Sequence, residues 1–328
     1  MISIVVVNWN SGELLERCVH SLLRNAPDCE IVLIDNASHD PSLNFVEGVE
    51  RELLVMRNSR NAGFAAANNQ GWRAAHGDPI LFLNPDAEAQ PGSITALAQR
   101  IKGDPQMWAV GGRLLDDTES KETSASVRAF PSIAAVAAEM LLLDEVWPRN
   151  PWTRRYRMAE WNHDSARDVD QPAAACLMVR RSALESLGGF DEDFWPAWFE
   201  DVDLCRRIRT AGGRIGFEPR AVFPHHGAVS LRSLTAEEFM RFYYGNMIRY
   251  FVKHHGAKEA TRVRRLIIAG LYLRACAALI RAPFLSRSGA GAPRSFWRAA
   301  RSFAGSPGAQ PCLHAFSSAS SPAIRSAI

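Results

Sequence analysis

The stretch ISIVVVNWNSGELLERCVHSLL, residues 2–23, decides the fold. It opens with a β-branched run of strand length and few polar residues, the mark of a central strand buried on both faces. Ser11 then offers a helix N-cap, and Leu14, Leu15, Cys18, Val19, Leu22 and Leu23 recur at helical spacing. EIVLIDN (30–36) and ELLVMRN (52–58) read as a second and a third buried strand. GFAAANNQGWRAAH (63–76) reads as a helix, and PILFLNPDAE (79–88) as a fourth strand running into a polar turn. Strands alternating with helical segments predict βαβ units and an α/β, Rossmann-like, mostly parallel sheet flanked by helices.

Further along, SIAAVAAEMLLLDEV (132–146) predicts a helix, followed by Pro148, Pro151 and a Trp/Arg-rich linker. AAACLMVRR (173–181) predicts another strand. Residues 236–256 and 257–284 carry two helical patterns, and past Pro283 the Ser, Ala, Gly and Pro content predicts a disordered tail. The six cysteines are scattered, with no CxxC pair, which favours reduced thiols over a disulfide framework or zinc site. The N-terminus has no basic region before its apolar run, so neither a signal peptide nor a membrane span is expected there.

The net charge of +3 conceals an asymmetry. Twelve Lys or Arg stand against one acid between Arg249 and Arg301, while residues 1–248 carry −9. An acidic body with a basic tail argues against a nucleic-acid binder, whose basic footprint would cover the working face.

Polar residues recur where each strand ends: Asn8 and Asn10, Asp35 and Asn36, Asn58 to Asn61, Asn84 and Asp86. Such residues form ordinary turns, but in an open α/β sheet ligands also bind outside the carboxyl ends of the strands. There is no GxGxxG after the first strand and no GxxxxGK[ST] anywhere. A nucleotide would therefore be held by side chains such as Asp35 rather than by a glycine-rich cradle. The stretch FWPAWFEDVDLCRR (194–207) sets Glu200, Asp201 and Asp203 among large rings. Those acids either complement a helix N-terminus in the open or face a cleft that needs them.

Six stretches appear together in order: IVVVNWNSGELLERCVHSLL, IVLIDNAS, NSRNAGFAAANNQG, LFLNPDAE, GGFDEDFWPAWFEDVDLCRRIRTAGGRIGFEP and VFPHHGAVS. The set resembles glycosyltransferase family 2, inverting enzymes of GT-A fold, most of all their bacterial rhamnosyltransferase-like branch. The resemblance implies a GT-A domain over 1–232, with a nucleotide-binding half of about 1–115 and an acceptor-binding half of about 116–232. A basic helical extension would follow over 233–284, and a tail over 285–328.

The resemblance also implies roles. Asp35 would bind the pyrimidine base, with Asn8 and Asn10 lining the same pocket. Arg60, Gly63 and Asn69 would lie near the ribose and diphosphate, Gly63 permitting close backbone approach. Asn84-Pro85-Asp86 stands where the family has a DxD motif, so Asp86 would bind Mg²⁺ or Mn²⁺, helped by His225, with His226 as the fallback. Asp201 would be the general base. Trp195, Trp198 and Glu200 would meet the acceptor, on an apolar wall suited to the C–H face of a pyranose ring. Ala174 stands where a Gly is usual and Trp198 where a Tyr is common, so the resemblance leaves the acceptor open.

The activity so implied is a metal-assisted single displacement from a nucleotide sugar, best matched by dTDP-rhamnose, to a glycan or lipid-linked acceptor in cell-surface polysaccharide synthesis. A UDP-hexose or UDP-N-acetylhexosamine donor on the same fold is the alternative, as is a non-catalytic sugar-nucleotide or glycan binder. The expected place is cytoplasmic, peripheral on the inner face of the plasma membrane. Arg262, Arg264, Arg265, Arg274 and Arg281 among apolar residues suggest a helix lying on an anionic leaflet. A helix packed on the catalytic domain with a solvated basic face is the competing reading.

Overall fold

The computed structural model describes residues 1–50, 53–116, 126–227, 234–281 and 292–305. Chain order begins with strand β1 (Ser3–Asn8), helix α1 (Glu13–Asn25), β2 (Glu30–Asp35), β3 (Leu54–Arg57), α2 (Phe64–Ala74), β4 (Ile80–Leu83), α3 (Ser93–Lys102) and β5 (Met107–Asp116). A middle section holds β6 (Val127–Arg128), α4 (Ile133–Met140), α5 (Leu143–Val146), α6 (Pro151–Tyr156), β7 (Arg167–Asp168) and β8 (Gln171–Pro172). There follow β9 (Cys176–Val179), α7 (Arg181–Leu187), α8 (Glu200–Thr210), β10 (Arg214–His225), α9 (Ala236–His255), α10 (Ala257–Arg281) and α11 (Ala292–Ala304).

The main sheet has the order β3-β2-β1-β4-β9-β5-β10-β7. β1 to β4 pair in parallel, as do β5 and β10, while β9 runs against both its neighbours and β7 against β10. The sheet is therefore mixed around a parallel core. β1 alternates as its period of two requires. Ile4 and Val6 pack with α1 and α3 on one face, and Val5 and Val7 pack with α2 and α8 on the other. A third cluster joins α4 to the C-terminal helices through Met140, Met247, Phe251, Ile267 and Leu271.

Four expectations are corrected. β3 is the sheet edge rather than a buried strand, with Leu54 exposed. Ser11 does not cap α1; Gly12 precedes the helix and the Ser11 hydroxyl makes no hydrogen bond. The apolar stretch 132–146 forms two helices, because Leu142 takes a positive φ of 59° between them. Residues Ala292–Ala304 form a helix where composition predicts a disordered tail. Ala299, Ala300 and Phe303 bury against α9 and α10, contacts that no local pattern encodes. The remainder of the expected tail, 285–291 and 306–328, lies outside the described residues.

Candidate active site

Asn8 and Asp35 end adjacent parallel strands in register. The fully buried Asn8 amide donates to Asp35 Oδ1 at 2.9 Å, Ser42 Oγ at 2.8 Å and Ser38 Oγ at 3.0 Å. Asp35 is thus held in one orientation at the end of β2. Asn10, with φ of 53°, accepts from the His39 N–H and donates its own N–H to Ser38 Oγ, closing the same pocket. Beside it an asparagine ladder orders the next loop. Asn36 Oδ1 accepts from Asn58 and the Ala62 N–H, and Asn61 Oδ1 accepts from Asn36 and the Gly63 N–H. Arg60 stands exposed on that loop.

At the end of β4, Asn84 is anchored through its N–H to the Ala175 carbonyl at 3.0 Å. The next turn is tied to β10 by His226 N–H to Asp86 O and by Glu88 N–H to Pro224 O, both at 2.9 Å. His225 Nε2 comes to 3.2 Å from Asp86 Oδ1. Asn84 Oδ1, Asp86 Oδ1 and His225 Nε2 are all buried, and none has a hydrogen-bond partner. Burying such atoms without a hydrogen bond is costly, so the Asp86–His225 contact, with Asn84 two residues before Asp86 on the same turn, fits a ligand there. His226, the fallback, is otherwise engaged: its Nε2 lies 3.0 Å from Glu88 Oε1, and Glu88 pairs with Arg17. Among the described residues no group of three or more His, Cys, Asp or Glu side chains is placed to hold a metal. The donor set here is one carboxylate, one imidazole and one amide.

The three acids of the opening helix turn separate in space. Trp198 and Phe199 both adopt positive φ, 74° and 73°, an unfavourable conformation for bulky residues, immediately before α8. That twist sets Asp201 against the segment before β9. Its Oδ2 accepts from the Ala174 N–H at 3.2 Å and its Oδ1 from the Val202 N–H at 2.7 Å. Because Ala175 carries Asn84, the base candidate and the β4 turn bracket the same two residues. Burial raises the Asp201 carboxyl above the usual aspartate range, against the opposing pull of those N–H groups and of Arg128. Glu200 is 4% exposed with Oε2 unpaired. Burial, then the Asp201 charge, pushes its carboxyl well above the usual range. Asp203 is completely buried and bonds Arg207, bracing an arginine as a helix residue.

Two buried asparagines clamp the loop that presents the tryptophans. Asn69, expected beside the ribose and diphosphate, is 1% exposed, exchanging hydrogen bonds with the Phe190 backbone and donating to Glu192. Asn246 of α9 donates to the carbonyls of Trp195 and Ala197 at 3.2 and 2.9 Å. Sequence reasoning missed Asn246, although a lone Asn in an apolar helical stretch needs a buried partner. Trp195 and Trp198 are half-buried, edge-on to Phe242 and Phe239 of α9.

Gly63, at φ 89°, donates no side chain into this loop: a Cβ there would lie 2.6 Å from Trp195 Cδ1. Gly63→Ala is accordingly expected to cost about 1–3 kcal/mol, read from urea denaturation. An unchanged midpoint would mean that the loop adjusts freely.

Mannosyltransferase PcManGT from Pyrobaculum calidifontis, solved with GDP-Man and Mn²⁺, superposes with a TM-score of 0.56 at 16% identity, covering 92% of this chain and 86% of its own. GalNAc-T7, solved with UDP, GalNAc and Mn²⁺, gives 0.53 at 17% identity over 78% of this chain and 51% of its own. The fold is therefore that of the GT-A class, with acidic and amide side chains gathered at the strand ends. The model of Glycosyl transferase family 2 matches residues 3–188. An N-acetylglucosaminyl-diphospho-decaprenol L-rhamnosyltransferase of Mycobacterium tuberculosis is 34% identical over 242 residues, 70% of this chain and 77% of the relative. Rhamnosyltransferase WbbL of Escherichia coli is 22% identical over 262 residues, 77% of this chain and 93% of the relative. The chain belongs to glycosyltransferase family 2, and its relatives place it in the rhamnosyltransferase-like branch.

Proposed function

We propose that this enzyme transfers L-rhamnose from dTDP-rhamnose to a lipid-linked saccharide by a single displacement with inversion. The observation that carries the reading is Asp201, a raised-pKa carboxylate held by two backbone N–H groups beside the aromatic loop. Asp35, oriented by Asn8, would accept from the ring N–H of the pyrimidine. Trp195 and Trp198 would form the acceptor wall, whereas Glu200 has little surface to offer a sugar.

Asp201 takes the proton of an acceptor hydroxyl as that oxygen attacks the anomeric carbon. The bond from that carbon to the diphosphate oxygen breaks, and the nucleoside diphosphate leaves with the electron pair. Asp86, His225 and the Asn84 amide oxygen would hold Mg²⁺ or Mn²⁺, their unpaired atoms fitting a cation that binds oxygen and imidazole nitrogen. Bound there, the cation supplies charge neutralisation for the diphosphate leaving group. The proposed place of action is the cytoplasmic face of the plasma membrane, where a water-borne donor meets a lipid-borne acceptor. The M. tuberculosis relative's name, with its decaprenol-linked saccharide, supports an acceptor of that chemistry.

Nucleoside diphosphate release from a panel of nucleotide sugars with Mg²⁺ or Mn²⁺ tests this. Release from dTDP-rhamnose is expected, with near-complete loss in Asp86→Ala. Preference for a UDP-sugar would replace the donor. Failure of every donor to raise the thermal midpoint would sink the active-transferase reading.

A further inference from the structure

Among the described residues, eight of the eleven large exposed apolar side chains gather on two neighbouring parts of the molecule. One group is Leu141, Val146, Trp147 and Trp152, from the end of α4 through α6; the other is Leu273, Leu279, Ile280 and Trp297 on α10 and α11. The two parts meet where the Arg274 guanidinium donates to the Met140 and Glu139 carbonyls at 2.7 and 2.6 Å, capping the end of α4. α10 and α11 run antiparallel, since Arg264 bonds the Phe303 carbonyl while Tyr272 meets Trp297 edge-on at 4.9 Å. Leu279 and Ile280 therefore stand beside the start of α11.

Soluble surfaces seldom collect so much apolar area without an occupant. α10 exposes Arg262 and Arg265 early along its outer face and Leu273, Cys276, Leu279 and Ile280 later. α11 exposes Arg294, Trp297, Arg298 and Arg301 on one side while burying Ala299, Ala300 and Phe303 on the other. Near α6, Trp147 and Trp152 lie edge-on to each other at 6.1 Å, with Arg149 and Arg155 exposed nearby. The acid Asp144 in this region is engaged by Arg157 at 3.0 Å. Arg298 lies 3.8 Å from Glu237 and Arg262 bonds Glu259, but tryptophan at the rim, aliphatic side chains beyond it and exposed arginine around both is the chemistry of a bilayer interface carrying negative headgroups. No helix among the described residues is long and apolar enough to cross a membrane.

We infer that the α5–α6 corner and the α10–α11 hairpin together form a docking face for an anionic phospholipid bilayer. The face differs from the one the basic sequence pattern suggests. Arg264 and Arg274 are spent on internal carbonyls, and the working residues on that hairpin are Leu279, Ile280, Trp297 and the arginines of α11. Its position deepens the reading above, because α9, which clamps the Trp195 loop, packs on both α10 and α11. The docking nevertheless uses no residue of the transfer reaction.

Flotation of the full chain with phosphatidylcholine vesicles, with and without phosphatidylglycerol, tests the face in the absence of donor. Flotation is expected only with the anionic vesicles and should fall as salt rises. Arg294→Glu with Arg298→Glu and Arg301→Glu should weaken it roughly tenfold or more. Trp147→Ser with Trp152→Ser, and separately Ile280→Ser with Leu279→Ser, should each weaken it at constant charge. Circular dichroism checks that each variant folds, and unchanged donor cleavage separates a docking failure from a failure of the transferase reading. No flotation at low salt, or flotation indifferent to all three variants, overturns the inference. A dimer that Ile280→Asp splits, seen by light scattering, would also overturn it by making a second copy the occupant.

Discussion

Asp201→Asn is expected to lower turnover by about 10²- to 10⁴-fold, the usual worth of a positioned general base, with donor affinity unchanged. The substitution keeps the shape of the side chain and one oxygen for the Val202 or Ala174 N–H, so the loss reports proton transfer rather than collapse. The pH profile gives a second handle on the same group. Burial disfavours the charged form and raises its pKa. The base works only when deprotonated, so kcat should rise with pH through that raised value and then level off. The acid limb should therefore lie above the pH at which an ordinary exposed aspartate titrates. An Asn variant with near-normal turnover, or one that retains the same acid limb, would remove Asp201 from the mechanism.

The largest stability effect is expected at its neighbour. Asp203 has no exposed surface and lies 2.7 Å from each of Arg207 Nε, Lys253 Nζ and His254 Nε2. Arg207 in turn donates to the carbonyls of Leu187 and Gly189, so this one carboxylate fastens α8 to α9 and to the end of α7. Asp203→Ala removes the anion and leaves its cations facing one another with little water. Breaking a buried pair from one side typically costs about 3–5 kcal/mol, a shift that urea denaturation resolves easily. A single variant within about 0.5 kcal/mol of the parent would show that the cluster is solvated and holds nothing together.

Glu200, Asp201 and Asp203 show where local reading stops. Their spacing on a helix was legible, and the resemblance singled out Asp201. Which acid would be sealed in, which bonded to Ala174 and which fastened to α9 depended on groups far along the chain. His254 is 51 residues from Asp203, and Ala174 is 27 from Asp201. The motif that carries Asn69 is legible, but the bond from Asn69 to Phe190, 121 residues away, is not. Asn246 was missed, and Arg274 was read as facing outward, for the same reason: their partners are backbone carbonyls, which carry no signature in sequence.

What the sequence alone determined is local and periodic. The buried strands β1 and β2, the helices that follow β1 and β3, and the polar residues at successive strand ends follow from apolar spacing and turn chemistry within a few residues. Tertiary structure alone decided that β3 lies at the edge and β9 runs antiparallel. It also decided that α11 is a helix and that Arg264 and Arg274 face inward. The physical reason is common to all of these. Propensity and periodicity act between neighbours in the chain, whereas burial, charge pairing and the satisfaction of carbonyls are settled between surfaces that meet only when the chain is folded.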